Sequence, residues 1–192
     1  AQVIQPVVDA MKAAGHPYTG FLYAGLMIDA AGDPFVIEFN CRFGDPETQP
    51  ILMRLQSSMV DLVEQGLAGK LPSEAKWDAR PALGIVIASK GYPETSSKND
   101  VIAGLPELNS DNQQSVKVFH AGTTFCDSSD SDTPNNEKEV VTNGGRVLCV
   151  TALADSISDA QQAALAVTAA ISFDGAHYRR DIGHHAIARE NI

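Results

Sequence analysis

Cysteine is scarce in this sequence. There are 3 in 192 residues, Cys41, Cys126 and Cys149, odd in number and far apart, with no C-x-x-C spacing. That excludes a disulfide framework and a thiolate metal site, and it predicts a reducing, cytoplasmic setting in which each is a small apolar residue. Basic residues are few, with Lys+Arg 14 against Asp+Glu 24 and a formal net charge of -10. Such a chain repels a phosphate backbone, so no nucleic-acid partner is expected. A phosphorylated ligand would need local neutralisation by a metal or a few placed arginines. No apolar run is long enough to span a bilayer and no signal peptide is legible, so no membrane partner is expected. Internal repeats are also missing.

Apolar residues are plentiful at 44%, enough for one large domain or two small ones. Residues 4–14 carry Ile4, Val7, Val8, Met11 and Ala14 at helical spacing, with Pro6 in the first turn and Gly15 as a C-terminal cap. Ala1 stands in the middle of what reads as a helix, which predicts a piece of a longer protein. The run YTGFLYAGLMI (18–28) reads as a central strand covered on both faces. DAAGDP (29–34) supplies a turn into a second strand from Phe35 to about Cys41, making a hairpin. One helix is predicted from about Thr48, with Pro50 in its first turn and an apolar stripe of Ile51, Leu55, Met59, Leu62 and Val63.

KLPSEAKWDARP (70–81) is polar and holds two prolines, which marks a candidate boundary. Shorter strands follow at 82–89, 115–122, 139–143 and 146–154, and TNGGR (142–146) reads as a hairpin turn. The acidic segment 126–138 fits the calcium-loop template poorly and reads as a solvated loop tip. A last helix is predicted over 158–171, capped by Ser158, with Ala163, Ala164, Val167 and Ile171 on one face. His120 reads as a hydrogen-bonded structural histidine, and the adjacent His184 and His185 are poorly spaced for joint chelation.

The chemistry concentrates in VIEFNCRFGDPETQ, residues 36–49. Strand alternation sends Ile37, Phe39 and Cys41 one way and Val36, Glu38, Asn40 and Arg42 the other. Side chains two residues apart stand about 6.6 Å apart along a strand, close enough for Glu38 and Asn40 to converge on one hard cation. A cation held by so few protein oxygens keeps positions open for waters or phosphates, as Mg²⁺ does at nucleotides. Arg42 is suited to a bidentate grip on phosphate or carboxylate. The spacing equally allows a wet edge strand with Glu38 and Arg42 as a surface pair. Asp45 and Glu47, ahead of a predicted helix, also suit its positive N-terminal end.

This stretch, preceded by GFLYAGLMI, resembles the metal-binding strand of the ATP-grasp ligases. The extension R-F-G-D-P-E-T-Q narrows the resemblance to the glycinamide ribonucleotide synthetase (phosphoribosylamine–glycine ligase) family. KGYP (90–93), VFHAGT (118–123), VTNGGRVLCVTALA (141–154) and HYRRDIG (177–183) follow in the family's order.

The resemblance implies an α/β (α+β) fold: the C-terminal part of an ATP-grasp domain over 1–75, then a small mixed α/β domain over 76–192. It implies ATP-dependent ligation of glycine to 5-phospho-β-D-ribosylamine through a glycyl phosphate, in purine biosynthesis, with the N-terminal remainder of the same enzyme as partner. It implies Glu38 and Asn40 as ligands of Mg²⁺ or Mn²⁺. With it, Arg42 is expected to steady the transferring phosphoryl group, and Asp45 and Glu47 to hold the ammonium of glycine or hydroxyls of the ribose. Arg179 or Arg180 is expected to close over the active cavity. The alternatives are another ATP-grasp carboxylate–amine ligase, or a non-catalytic module that keeps the fold. Many ATP-grasp enzymes carry a further metal-binding acid on the preceding strand; FLYAGLMI has none.

Overall fold

The computed structural model describes residues 2–106, 115–126 and 139–190. The acidic segment read as a loop tip falls, apart from Cys126, outside the described residues. The architecture is mixed α/β with antiparallel sheets. The chain forms two compact units: residues 1–48 with 55–77, and residues 49–54 with 78–192.

In the first unit, helix α1 spans Ile4–Ala13. It opens at Ile4, after a turn at Gln2 and Val3. It closes with Gly15 at φ +83°, the Gly15 amide bonding Lys12 O at 3.1 Å and the His16 amide bonding Met11 O at 2.9 Å. This pair of bonds satisfies carbonyls that a helix end leaves orphaned, and glycine takes the left-handed turn at no steric cost. Strands β1 (Tyr23–Ile28) and β2 (Pro34–Asn40) form an antiparallel pair, with Tyr23 opposite Asn40 and Gly25 opposite Glu38.

The run 18–28 was expected to be a covered central strand. Instead β1 begins at Tyr23 and pairs only with β2 among the described residues. Met27, Ile28, Phe35 and Ile37 are exposed. The apolar residues are there, but among the described residues they stay exposed.

The single helix expected from Thr48 is also corrected. Helix α2 spans only Thr48–Arg54, and a separate helix α3 runs Met59–Leu67. Between them Leu55 bridges Trp77, the Gln56 amide bonds Lys76 O at 2.9 Å, and Ser57 Oγ accepts from the Lys76 amide at 2.8 Å. Ser58 then caps α3 by accepting from the Asp61 amide at 3.2 Å. Long-range backbone bonds thus take over where the helix ladder stops.

The second unit holds two three-stranded antiparallel sheets, ordered β3–β8–β5 and β4–β7–β6. The first comprises β3 (Ala82–Ala88), β5 (Val116–His120) and β8 (Arg146–Leu153). The second comprises β4 (Lys98–Val101), β6 (Thr123–Phe125) and β7 (Val140–Asn143). Helix α4 (Ile157–Ala170) packs on β3 and β8, and α5 (His184–Glu190) packs on α4. Ile85, Val147, Leu148 and Val150 are fully buried.

The α4 face is centred differently from expectation. Ala160, Ala164 and Thr168 are its buried residues, with Ala163 and Val167 flanking them. Thr168 hides its hydroxyl by donating to Ala164 O at 2.8 Å. The cap is Ser156, accepting from the Asp159 amide at 3.0 Å, and not Ser158.

TNGGR does not close a hairpin, because β7 and β8 belong to different sheets. Its glycines serve close approach. A β-carbon on Gly145 would collide with the Tyr92 ring. Outside the run, a β-carbon on Gly122 would stand 2.8 Å from Arg146 O and 2.9 Å from Gly144 Cα.

Candidate active site

Strand β2 carries the first pair. Asn40 donates from Nδ2 to Glu38 Oε1 at 3.0 Å, so the two side chains meet on one face as their spacing predicts. Glu38 is exposed and Asn40 half-buried. A half-turn of the Asn40 amide exchanges nitrogen for oxygen and presents two hard oxygen donors side by side. Among the described residues no group of three or more His, Cys, Asp or Glu is gathered to hold a metal. A cation at this pair would therefore draw its other ligands from water or a bound phosphate, which suits Mg²⁺ chemistry.

Arg42 departs from the strand argument. The β1–β2 ladder ends at the Tyr23–Asn40 pair, so Arg42 lies in the bend beyond it. Its Nη1 donates to Phe43 O at 2.6 Å, which uses one of the five donors a guanidinium has. It is not paired with Glu38, the arrangement a wet edge strand would give. Asp45 is exposed in the following turn.

Glu47 reaches back to the sheet. Tyr23 Oη donates to Glu47 Oε1 at 3.2 Å. Glu47 beside the phenol raises the Tyr23 pKa above its ordinary value, with partial desolvation adding to the rise. Glu38 adds a smaller rise and Arg42 opposes it, so Glu38, Arg42 and Glu47 all act on this one hydroxyl. Sequence reasoning missed Tyr23 because it looked on this strand only for an acid. The signal was its alternation with Gly25, on the strand that pairs with Glu38 and Asn40.

In the second unit, Arg179 forms a bidentate pair with Asp181 at 2.9 and 2.6 Å, and Arg180 lies 5.7 Å from the Tyr178 ring centre. They do not sit on a strand. His120 contacts Thr123 Oγ1 at 3.1 Å. The rings of His184 and His185 lie 3.9 Å apart, with His184 Nδ1 at 2.9 Å from Asp181 O.

Residues 82–185 match the family described as phosphoribosylglycinamide synthetase, C domain, more than half of the chain. The chain belongs to the phosphoribosylglycinamide synthetase family. Residues 1–48, which include Tyr23 through Glu47, match the same family's ATP-grasp (A) domain. The segment is 55% identical over 190 residues to a phosphoribosylamine–glycine ligase of Vibrio parahaemolyticus, covering 98% of this chain and 41% of that protein. It is 52% identical over 189 residues to one from Neisseria meningitidis serogroup B, covering 98% and 42% respectively. The chain therefore spans about two-fifths of the curated relatives it matches. The crystal structure of a phosphoribosylamine–glycine ligase from Thermotoga maritima superposes with a TM-score of 0.70 at 34% identity, over 90% of this chain and 39% of that one. An N5-carboxyaminoimidazole ribonucleotide synthetase from the same organism shares the fold, with a TM-score of 0.54 at 13% identity. Among the described residues of this chain no helix is long and apolar enough to cross a membrane.

Proposed function

We propose that this chain is the C-terminal part of a cytoplasmic ligase that joins glycine to 5-phospho-β-D-ribosylamine at the expense of ATP. Residues 1–75 would be the tail of its ATP-grasp domain and 76–192 its small α/β domain. The observation that carries the reading is the Glu38–Asn40 pair, joined at 3.0 Å within a segment that matches the family's ATP-grasp domain.

Glu38 and Asn40 would hold Mg²⁺ or Mn²⁺, the hard cations that oxygen donors suit. When bound, such a cation lowers the repulsion between a carboxylate nucleophile and a polyphosphate. Arg42, with most of its donors left, steadies the phosphoryl group as it passes to the glycine carboxylate. The resulting glycyl phosphate is attacked by the sugar amine, and phosphate leaves. Asp45 and Glu47 accept hydrogen bonds from the glycine ammonium or from ribose hydroxyls. The N-terminal remainder of the enzyme covers the exposed apolar residues of β1 and β2 and supplies the rest of the nucleotide site.

The test is turnover by the complete ligase carrying Glu38→Gln, with calorimetric binding of the Mg²⁺–nucleotide. The expected result is a loss of kcat/KM of about 100-fold or more, the scale on which charge-stabilising groups act. A variant that binds and turns over normally would sink the assignment. The 192-residue chain alone is expected to turn over no ATP with glycine and phosphoribosylamine.

A further inference from the structure

Tyr23 joins two parts of the site that sequence reasoning treated separately. It sits on β1 opposite Asn40, its hydroxyl donates to Glu47 Oε1 at 3.2 Å, and 24 positions separate the partners. The buried Gly44 makes the contact possible. A β-carbon there would stand 2.7 and 2.9 Å from two Tyr23 ring carbons and would collide with Glu47 Oε2. Thr48 holds this turn from the other side, its hydroxyl and amide both donating to Gly44 O, at 2.5 and 3.1 Å. An exposed glutamate swings through many rotamers; one tied to a strand residue does not.

We propose that Tyr23 is a positioning residue of the ligase: its hydroxyl fixes the Glu47 carboxylate so that the remaining oxygen meets a donor on a substrate, either the ammonium of glycine or a hydroxyl of the ribosylamine. The inference rests on the substrate-binding role given to Glu47 above. A phenol is protonated at neutral pH and the neighbouring carboxylate pushes it further that way, so Tyr23 acts as a donor and takes no proton from substrate.

The experiment uses the complete ligase with Tyr23→Phe, Glu47→Gln and the double variant, measuring kcat and separate KM values for glycine, phosphoribosylamine and ATP. Tyr23→Phe keeps the ring and removes one bond to a charged group, so the KM of one acceptor substrate is expected to rise about tenfold. The KM for ATP should stay in place, and kcat should change by about twofold or less. The substrate whose KM rises identifies the donor. The double variant should be no worse than Glu47→Gln alone. Gly44→Ala, which pushes Tyr23 and Glu47 apart with the hydroxyl intact, should raise the same KM. The inference is overturned if Glu47→Gln raises an acceptor KM and Tyr23→Phe does not, if the two effects add, or if only the KM for ATP moves. If Glu47→Gln leaves both acceptor KM values unchanged, the substrate role of Glu47 fails first and Tyr23 falls with it.

Discussion

The two units handle their apolar residues in opposite ways. In the unit of 78–192 the sheet β3–β8–β5 and helix α4 enclose Ile85, Val147, Leu148 and Val150, each 0% exposed. In the unit of 1–48 with 55–77, Ile37 is 65% exposed and Met27 61%, and Gly44 is the single buried residue among those described. The proposed site nonetheless lies in this poorly buried unit, on Tyr23, Glu38, Asn40 and Glu47. A two-stranded sheet is at best marginal by itself in water. The unit that carries the candidate site thus lacks the means to hold that site rigid alone, while the other needs no such help.

The sharpest way to break this comparison is to delete side chains from both units. Leu148→Ala is expected to cost about 2–5 kcal/mol in urea unfolding of the 192-residue chain, the range for emptying a closed core. Ile37→Ala in the same chain should change stability by about 0.5 kcal/mol or less, since its side chain already lies in solvent. Equal costs would mean that the hairpin is covered after all. The only tryptophan, Trp77, belongs to the exposed unit. Its fluorescence should change at a lower urea concentration than the far-ultraviolet signal of the sheets, and coincident transitions would show one cooperative body.

A smaller effect separates the helix caps. Ser156→Ala removes the bond to the Asp159 amide and should cost about 1 kcal/mol of the core unit's stability. Ser58→Ala removes the equivalent bond to the Asp61 amide. It should shift the Trp77 transition and leave the far-ultraviolet one in place.

The smallest expected effect is an acid one, confined to the core unit. Hydrogen bonds from Arg80 hold the Asp78 carboxyl at about 2 against an ordinary 3.8, and hydrogen bonds from Arg179 do the same for Asp181. Both folded values are depressed. Their contribution is complete above 3.8 and is lost as pH falls through about 2. Arg80→Gln should therefore weaken the chain at neutral pH and flatten its loss of stability between those values, as followed by unfolding at several acid pH values.

Much of the fold was legible because it is written in periods. The helical spacing of Ile4 to Ala14 and the run RVLCVTALA each announce their element, and the alternation through Glu38 and Asn40 correctly put both side chains on one face. What stayed hidden depends on partners distant in the chain. Lys76 and Trp77 impose the stop at Leu55 from a distance, and the one local sign of it, Ser58 three residues before Asp61, was passed over. Strands β4 and β6 are short and largely polar, and they exist because β7 lies between them. Arg42 was misplaced by extending an alternation past the last ladder pair. Tyr23 was passed over because its partner Glu47 comes from the turn after the next strand, and the space for their meeting is the missing side chain of Gly44.

The corner between the two sheets has a consequence for how this protein can change. Gly122 is enclosed by main-chain atoms of Arg146 and Gly144, which cannot rotate aside as a side chain would. Every other amino acid brings at least one carbon into that space. Random substitution should therefore find no silent step there, and redesign of this region must move two strands together or leave the crossing untouched.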